Sequence, residues 1–196
     1  DQFDIGAYEH QTGDIEIYSQ PVDIVACDGD TAEFSVMAND TAYYQWYHNE
    51  QKIHGENLPQ LVIYEVGLEN SGVYSCQVRN ADPRRISEPS FMIVNHPPEI
   101  FIQPEKNWMK EGTPVILEIG AEGTPPMHFQ WFKDGVPIEG AEYPKLVIAY
   151  PDSNKEGLYH CSIENFCGTT SSDSIQLFLA PQICIVTVDT IEYKHN

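Results

Sequence analysis

Apolar residues recur at every second position in several short stretches of the chain. Phe34, Val36 and Ala38 mark one such run, and Val115, Leu117 and Ile119 mark another. This is the period of a strand that turns one face to a core. Residues that tolerate tight-turn dihedrals separate the runs: Asn49-Glu50, Asp134-Gly135 and the stretch from Asn165 to Gly168. No stretch reads as a long helix. Many short strands punctuated by turns predict an all-β chain made of sandwiches or barrels.

The pattern occurs twice. At an offset of 85 residues Trp46 falls on Trp131, Ile53 on Ile138, Gly55 on Gly140 and Pro59 on Pro144. Leu61-Val62-Ile63 then meets Leu146-Val147-Ile148, and Gly72, Tyr74, Cys76 and Asn80 meet Gly157, Tyr159, Cys161 and Asn165. A repeat this long implies two domains, because solenoid repeats are much shorter. The expected division is residues 15–95 and 96–180, with 1–14 the tail of a preceding module and 181–196 the start of a following module or a linker. Between the copies, Val94-Asn95-His96-Pro97-Pro98-Glu99 reads as a stiff, extended connection.

Composition narrows the partners. With 41% hydrophobic residues the chain can bury cores. Thirty acidic against ten basic side chains give a formal charge of -20, a field that repels phosphate backbones and anionic headgroups. Nucleic acid is therefore excluded as a partner, and solubility accounts for the acidic excess better than collected divalent cations. No apolar run approaches a bilayer span, so membrane insertion is not expected. Asp1 opens no signal peptide, which fits a mature or excised fragment.

Trp46 followed by Asn70-Ser71-Gly72-Val73-Tyr74-Ser75-Cys76, echoed by Trp131 and Gly157-Leu158-Tyr159-His160-Cys161, resembles the immunoglobulin superfamily. The resemblance covers about residues 15 to 180 and implies an all-β fold of two tandem immunoglobulin-like β-sandwiches. The expected structural core is Val36, Trp46, Tyr74 and Cys76 in one copy and Ile119, Trp131, Tyr159 and Cys161 in the other. Two positions depart from the family. Val36 and Ile119 stand where its strand-B cysteine belongs, so the usual inter-sheet disulfide is absent, and Asn70 and Lys155 replace the aspartate four residues before the tyrosine.

Cys27-Asp28-Gly29 and Asn165-Phe166-Cys167-Gly168 resemble a bacterial version of the domain. Asp4-Ile5-Gly6-Ala7-Tyr8-Glu9 looks like the close of a parallel β-helix surface domain, and Ile183 to Asp189 like the opening of a further extracellular module. Together these motifs suggest a piece of a long bacterial surface protein. Five cysteines leave at least one unpaired within the chain. On the family's topology the leading pair is Cys27 with Cys76, because the turn leaving the first strand crosses the end of the sandwich where strand F begins. The alternative is Cys27 with Cys167, across a head-to-tail junction. Cys161 with Cys167 is disfavoured by the hairpin between them.

No catalytic motif is present: Gly-x-Ser-x-Gly, a phosphate-cradling loop with lysine and His-Glu-x-x-His are all missing. Cys-x-x-Cys and His-x-x-x-His spacings are missing too. Asp28 with Asp30, and Asp152 near Glu156, read as turn carboxylates rather than calcium ligands, and His160 reads as a surface residue. No enzyme activity, cofactor or metal is expected. Recognition is expected in loops, with Asp40, Tyr43, Arg84 and Arg85 as candidate ligand residues. Two roles follow for a secreted or cell-surface chain: adhesion or recognition of an extracellular protein or glycan, or a structural spacer that presents neighbouring domains of the same chain.

Overall fold

The computed structural model describes residues 15–39, 42–80, 84–106 and 108–181. The first half holds strands β1 (Ile17–Ser19), β2 (Ile24–Cys27), β3 (Ala32–Ser35), β4 (Met37–Ala38), β5 (Tyr43–His48), β6 (Gln51–Lys52), β7 (Gln60–Ile63), β8 (Gly72–Arg79), β9 (Arg85–Ile86) and β10 (Ser90–Asn95). The second half repeats the set as β11 (Glu99–Ile102), β12 (Trp108–Met109), β13 (Val115–Glu118), β14 (Gly120–Glu122), β15 (His128–Lys133), β16 (Val136–Pro137), β17 (Lys145–Ile148), β18 (Gly157–Asn165), β19 (Gly168–Ser171) and β20 (Ile175–Leu179).

The two halves share one topology. One sheet of the first runs β2-β10-β8-β5-β6 with β9 added to β8, and the other layer holds the pairs β1-β4 and β3-β7. The second runs β12-β20-β18-β15-β16 with β19 added to β18, and β11-β14 and β13-β17 form the other layer. In both, the strand that enters the larger sheet first pairs parallel to the last one. Each half is an all-β immunoglobulin-like sandwich of two sheets.

Alternation explains the cores. Tyr74, Cys76 and Val78 on β8 and Tyr159, Cys161 and Ile163 on β18 point inward. They meet Phe34, Val36, Trp46 and Leu61 in one cluster and Leu117, Ile119, Trp131 and Leu146 in the other. The indoles and phenols carried inside find partners. The indole N–H of Trp46 donates to the Leu58 carbonyl and that of Trp131 to the Tyr143 carbonyl, both at 2.9 Å. The Tyr74 hydroxyl donates to the Asn70 carbonyl and the Tyr159 hydroxyl to the Lys155 carbonyl, both at 2.8 Å. Only backbone oxygen is used at those two positions, so asparagine and lysine serve there as well as aspartate.

Gly72 and Gly157 are required by space. They open β8 and β18 at φ +149° and +154°. A Cβ would come within 2.5 Å of Asn49 Oδ1 in one copy and 2.6 Å of Asp134 Oδ2 in the other.

The expected Cys27–Cys76 bond is corrected by the structure, which bonds Cys27 to Cys167 and leaves Cys76 and Cys161 as buried thiols. Register gives the reason. Cys27 faces Asn95 at one end of β10, whereas Ser90 at the other end already faces Tyr74. Cys27 and Cys76 thus sit about 24 Å apart along an ideal sheet lattice, far beyond the roughly 7 Å a disulfide spans. Burial pushes both free thiols up to about 11, so they stay protonated and inert at neutral pH.

Backbone contacts divide the chain into two compact units. One comprises residues up to 97 with 123–126 and 165–168, and the other the remainder. The two short segments differ from the expected 96–180 division, and their bonds within the first unit show why. Asn165 Nδ2 donates to the His96 carbonyl at 2.6 Å and to the Thr124 carbonyl at 3.0 Å. The His96 amide donates to Thr124 Oγ1 at 2.8 Å, and Cys167 carries the disulfide. The expected flanking segments, 1–14 and all of 181–196 but its first residue, lie outside the described residues.

Candidate functional site

The most distinctive surface chemistry among the described residues lies on β5, β6 and β8 of the first sandwich. Because Trp46 points inward, its strand neighbours Gln45 and Tyr47, and Tyr43 beyond them, take the outer side. The strand is held firmly. Gln45 Nε2 donates to the Ile53 carbonyl at 2.7 Å and to the Trp46 carbonyl at 2.9 Å, while backbone bonds join Trp46 to Glu56 and Ile53. The outer residues therefore stand on a rigid sheet rather than on a mobile loop.

In register, Tyr43 faces Arg79 and Tyr47 faces Lys52. The Arg79 guanidinium lies 5.9 Å from the centre of the Tyr43 ring, within cation–π range. Between these side chains is a cavity of about 350 Å³, to which Gln77 and Asn57 also contribute. Tyr43 remains 69% exposed, too open for a packing role to explain its ring. Among the described residues neither Lys52 nor Arg79 forms an ion pair. Lys52, Arg79, Arg84 and Arg85 are all the basic residues between positions 15 and 95, and all but Arg84 lie on strands of this one sheet.

The predicted ligand residues are placed unevenly. Tyr43 begins a strand instead of lying in a loop. Arg85 is on β9, where its Nε donates to the Ile15 carbonyl at 3.3 Å, which gives it a structural task. Arg84 is exposed beside it, outside the cavity. Asp40 lies outside the described residues. Sequence reasoning missed Lys52 and Arg79. Both were visible as two of only four cations in an acidic repeat, and both change character in the second copy.

The second sandwich carries a larger depression of about 480 Å³, floored by Ile138, Leu146 and Ile148. Two of its polar groups are engaged internally. Asp152 accepts from the Asn154 amide, and the Lys133 ammonium is 2.9 Å from Asp134. The Leu158 amide and then Lys133 hold the Asp134 carboxyl below the usual range. Among the described residues no group of three or more His, Cys, Asp and Glu side chains could hold a metal ion.

A family model described as an immunoglobulin domain matches residues 97–165. The human mucosa-associated lymphoid tissue lymphoma translocation protein 1 is 24% identical over 151 residues, covering 69% of this chain and 18% of that protein. Protein borderless of Drosophila melanogaster is 26% identical over 135 residues, covering 63% of this chain and 19% of the relative. The chain thus spans under a fifth of the length of these curated relatives. Among solved structures, the titin I-band fragment I67-I69 superposes with a TM-score of 0.71 at 20% identity, over 84% of this chain and 65% of that one. Sidekick-1 immunoglobulin domains 1-4 give 0.70 at 17% identity, over 85% and 49%. Likeness at this identity shows the fold: two immunoglobulin-like sandwiches in tandem.

Proposed function

We propose that this tandem is a non-catalytic recognition module that engages an extracellular protein or glycan through the outer face of its first sandwich. One observation carries the reading. An exposed tyrosine and two cations without ion pairs among the described residues surround a cavity on a rigid sheet, where folding alone asks for no such side chains. The insect immune protein hemolin, whose domain arrangement has implications for homophilic adhesion, is similar to this chain and supports an adhesion-type role by analogy. The Cys27–Cys167 disulfide supports a secreted or cell-surface location, because disulfides persist in oxidising compartments. Among the described residues no helix is long and apolar enough to cross a membrane. A bacterial multidomain setting, with a β-helix before this segment, rests on the short motifs alone, since the relatives named above are animal proteins.

The test is a glycan and protein array probed with the wild-type chain and with Tyr43→Ala. Ligands bound by the wild type and lost at least tenfold in the variant are expected. A blank array would leave the pair as a spacer presenting its neighbours, and binding indifferent to Tyr43 would overturn the assignment of recognition to this face.

A further inference from the structure

The recognition reading leaves the ligand open, and the chemistry of the same cavity narrows it. We infer that the groove between β5, β6 and β8 binds an acidic oligosaccharide bearing more than one carboxylate. This inference rests on the first sandwich being a recognition surface at all.

Charge comes first. The chain as a whole is strongly acidic, yet three of the four Lys and Arg residues of the first repeat lie on one sheet, and Lys52 and Arg79 converge on one groove. At physiological ionic strength charges farther than about 8 Å are largely screened, and the groove's lining carries these two cations and no carboxylate. Spacing comes next. Lys52 faces Tyr47 and Arg79 faces Tyr43, so the cations are anchored two strands and four residues apart. On an ideal lattice that is about 16 Å between backbone positions. A single carboxylate does not bridge such anchors comfortably, whereas a chain of acidic sugars offers a carboxylate to each.

The remaining lining favours a saccharide over an acidic peptide. Tyr43 and Tyr47 line the groove with aromatic rings, whose negative quadrupole suits the electropositive C–H faces of sugar rings. The side-chain amides of Gln77 and Asn57 offer donors and acceptors to hydroxyls. An extended peptide would gain most by adding a strand to the free edge, but that edge is β6, only two residues long. It offers almost no ladder.

The second copy acts as an internal control. At the equivalent positions Tyr43 and Arg79 become His128 and Glu164, which face each other in the same register. Lys52 becomes Pro137. The scaffold is kept while both cations are lost.

The test is isothermal titration of the full chain with an oligogalacturonate, its neutral methyl ester and an oligoglutamate peptide. Saturable binding of the oligogalacturonate is expected, at least tenfold weaker for the ester and for the peptide. Arg79→Ala and Lys52→Ala should each weaken it at least fivefold, with unchanged circular dichroism showing that both fold. Arg84→Ala, outside the groove, should leave it unaltered. Equal affinity for acid and ester, tighter binding of the peptide, or indifference to both substitutions overturns the inference. Should the oligogalacturonate fail while the array yields a Tyr43-dependent neutral or cationic ligand, the recognition reading survives and the anionic one falls. A blank array sinks both.

Discussion

The outer faces of the two larger sheets are built on the same frame and carry opposite chemistry. Tyr43 and Arg79 in the first occupy the register positions that His128 and Glu164 occupy in the second. Beneath them the two copies are superimposable in kind. Gln45 and Gln130 each bond the carbonyl at the equivalent place, Ile53 and Ile138. Cys76 and Cys161 each take a 2.9 Å amide bond to a serine hydroxyl, Ser87 and Ser172. What differs is what faces water. Positions that hold the backbone are repeated because burial and hydrogen bonding leave few alternatives, whereas an exposed strand position is free to take on a task.

The comparison is broken most severely by attacking the frame. Trp46→Ala and Trp131→Ala each remove a fully buried indole and should each cost about 3–5 kcal/mol, read from urea denaturation of each variant. Costs that differ by more than about half of that range would show that the two frames are not equivalent. Gln45→Ala and Gln130→Ala come next. Each removes one of two donors from a half-buried carbonyl, since the Glu56 and Ala141 amides also reach Ile53 and Ile138, and the expected loss is about 0.5–1.5 kcal/mol apiece.

Titration separates what the copies share from what they do not. Burial raises Cys76 and Cys161 to about 11 and Tyr74 and Tyr159 to about 12. The folded state therefore keeps protons that the unfolded chain releases. This stabilisation is present below the ordinary thiol value of 9.0 and is lost as pH climbs through about 11 and 12. Both sandwiches should lose thermal stability over that window. In the folded protein at pH 7.5, mass spectrometry should find Cys76 and Cys161 unalkylated and Cys27 linked to Cys167. In acid one position distinguishes the copies. The Leu158 amide and then Lys133 hold the Asp134 carboxyl below its ordinary value of 3.8, so its contribution is present above that value and disappears as pH falls below it. Its counterpart Asn49 makes the equivalent 3.0 Å bond to the Val73 amide without titrating. Asp134→Asn should lessen the loss of Tm in acid, measured as Tm against pH.

The fold was legible in the sequence because its signals are periodic and local. Alternating apolar residues, the repeated tryptophan and the Tyr-x-Cys pair placed both cores without any long-range information. Cysteine pairing was not legible in that way. It depended on how far Cys27 lies from Cys76 across two ladders, a property of register that no spacing along the chain encodes. The ligand groove was half legible. Tyr43 stood out as an aromatic beside a core strand, but Lys52 and Arg79 reach it from separate strands, so only pairing brings the three together.

The gentlest prediction asks whether the outer face belongs to the frame at all. Tyr43→His with Arg79→Glu transplants the second copy's pair onto the first. What is lost is one exposed cation–π contact, worth about 0.5–1 kcal/mol, and what is gained is a histidine–carboxylate pair of similar reach. Neither residue fills the core or bonds a buried group, and surface changes of this kind fall within about 0.5 kcal/mol. Urea midpoints of wild type and double variant should therefore coincide within that margin, while oligogalacturonate binding disappears. A stability loss above about 2 kcal/mol would mean that Tyr43 and Arg79 hold the sheet together, and the distinction between a repeated frame and a free face would collapse at the position where it matters most.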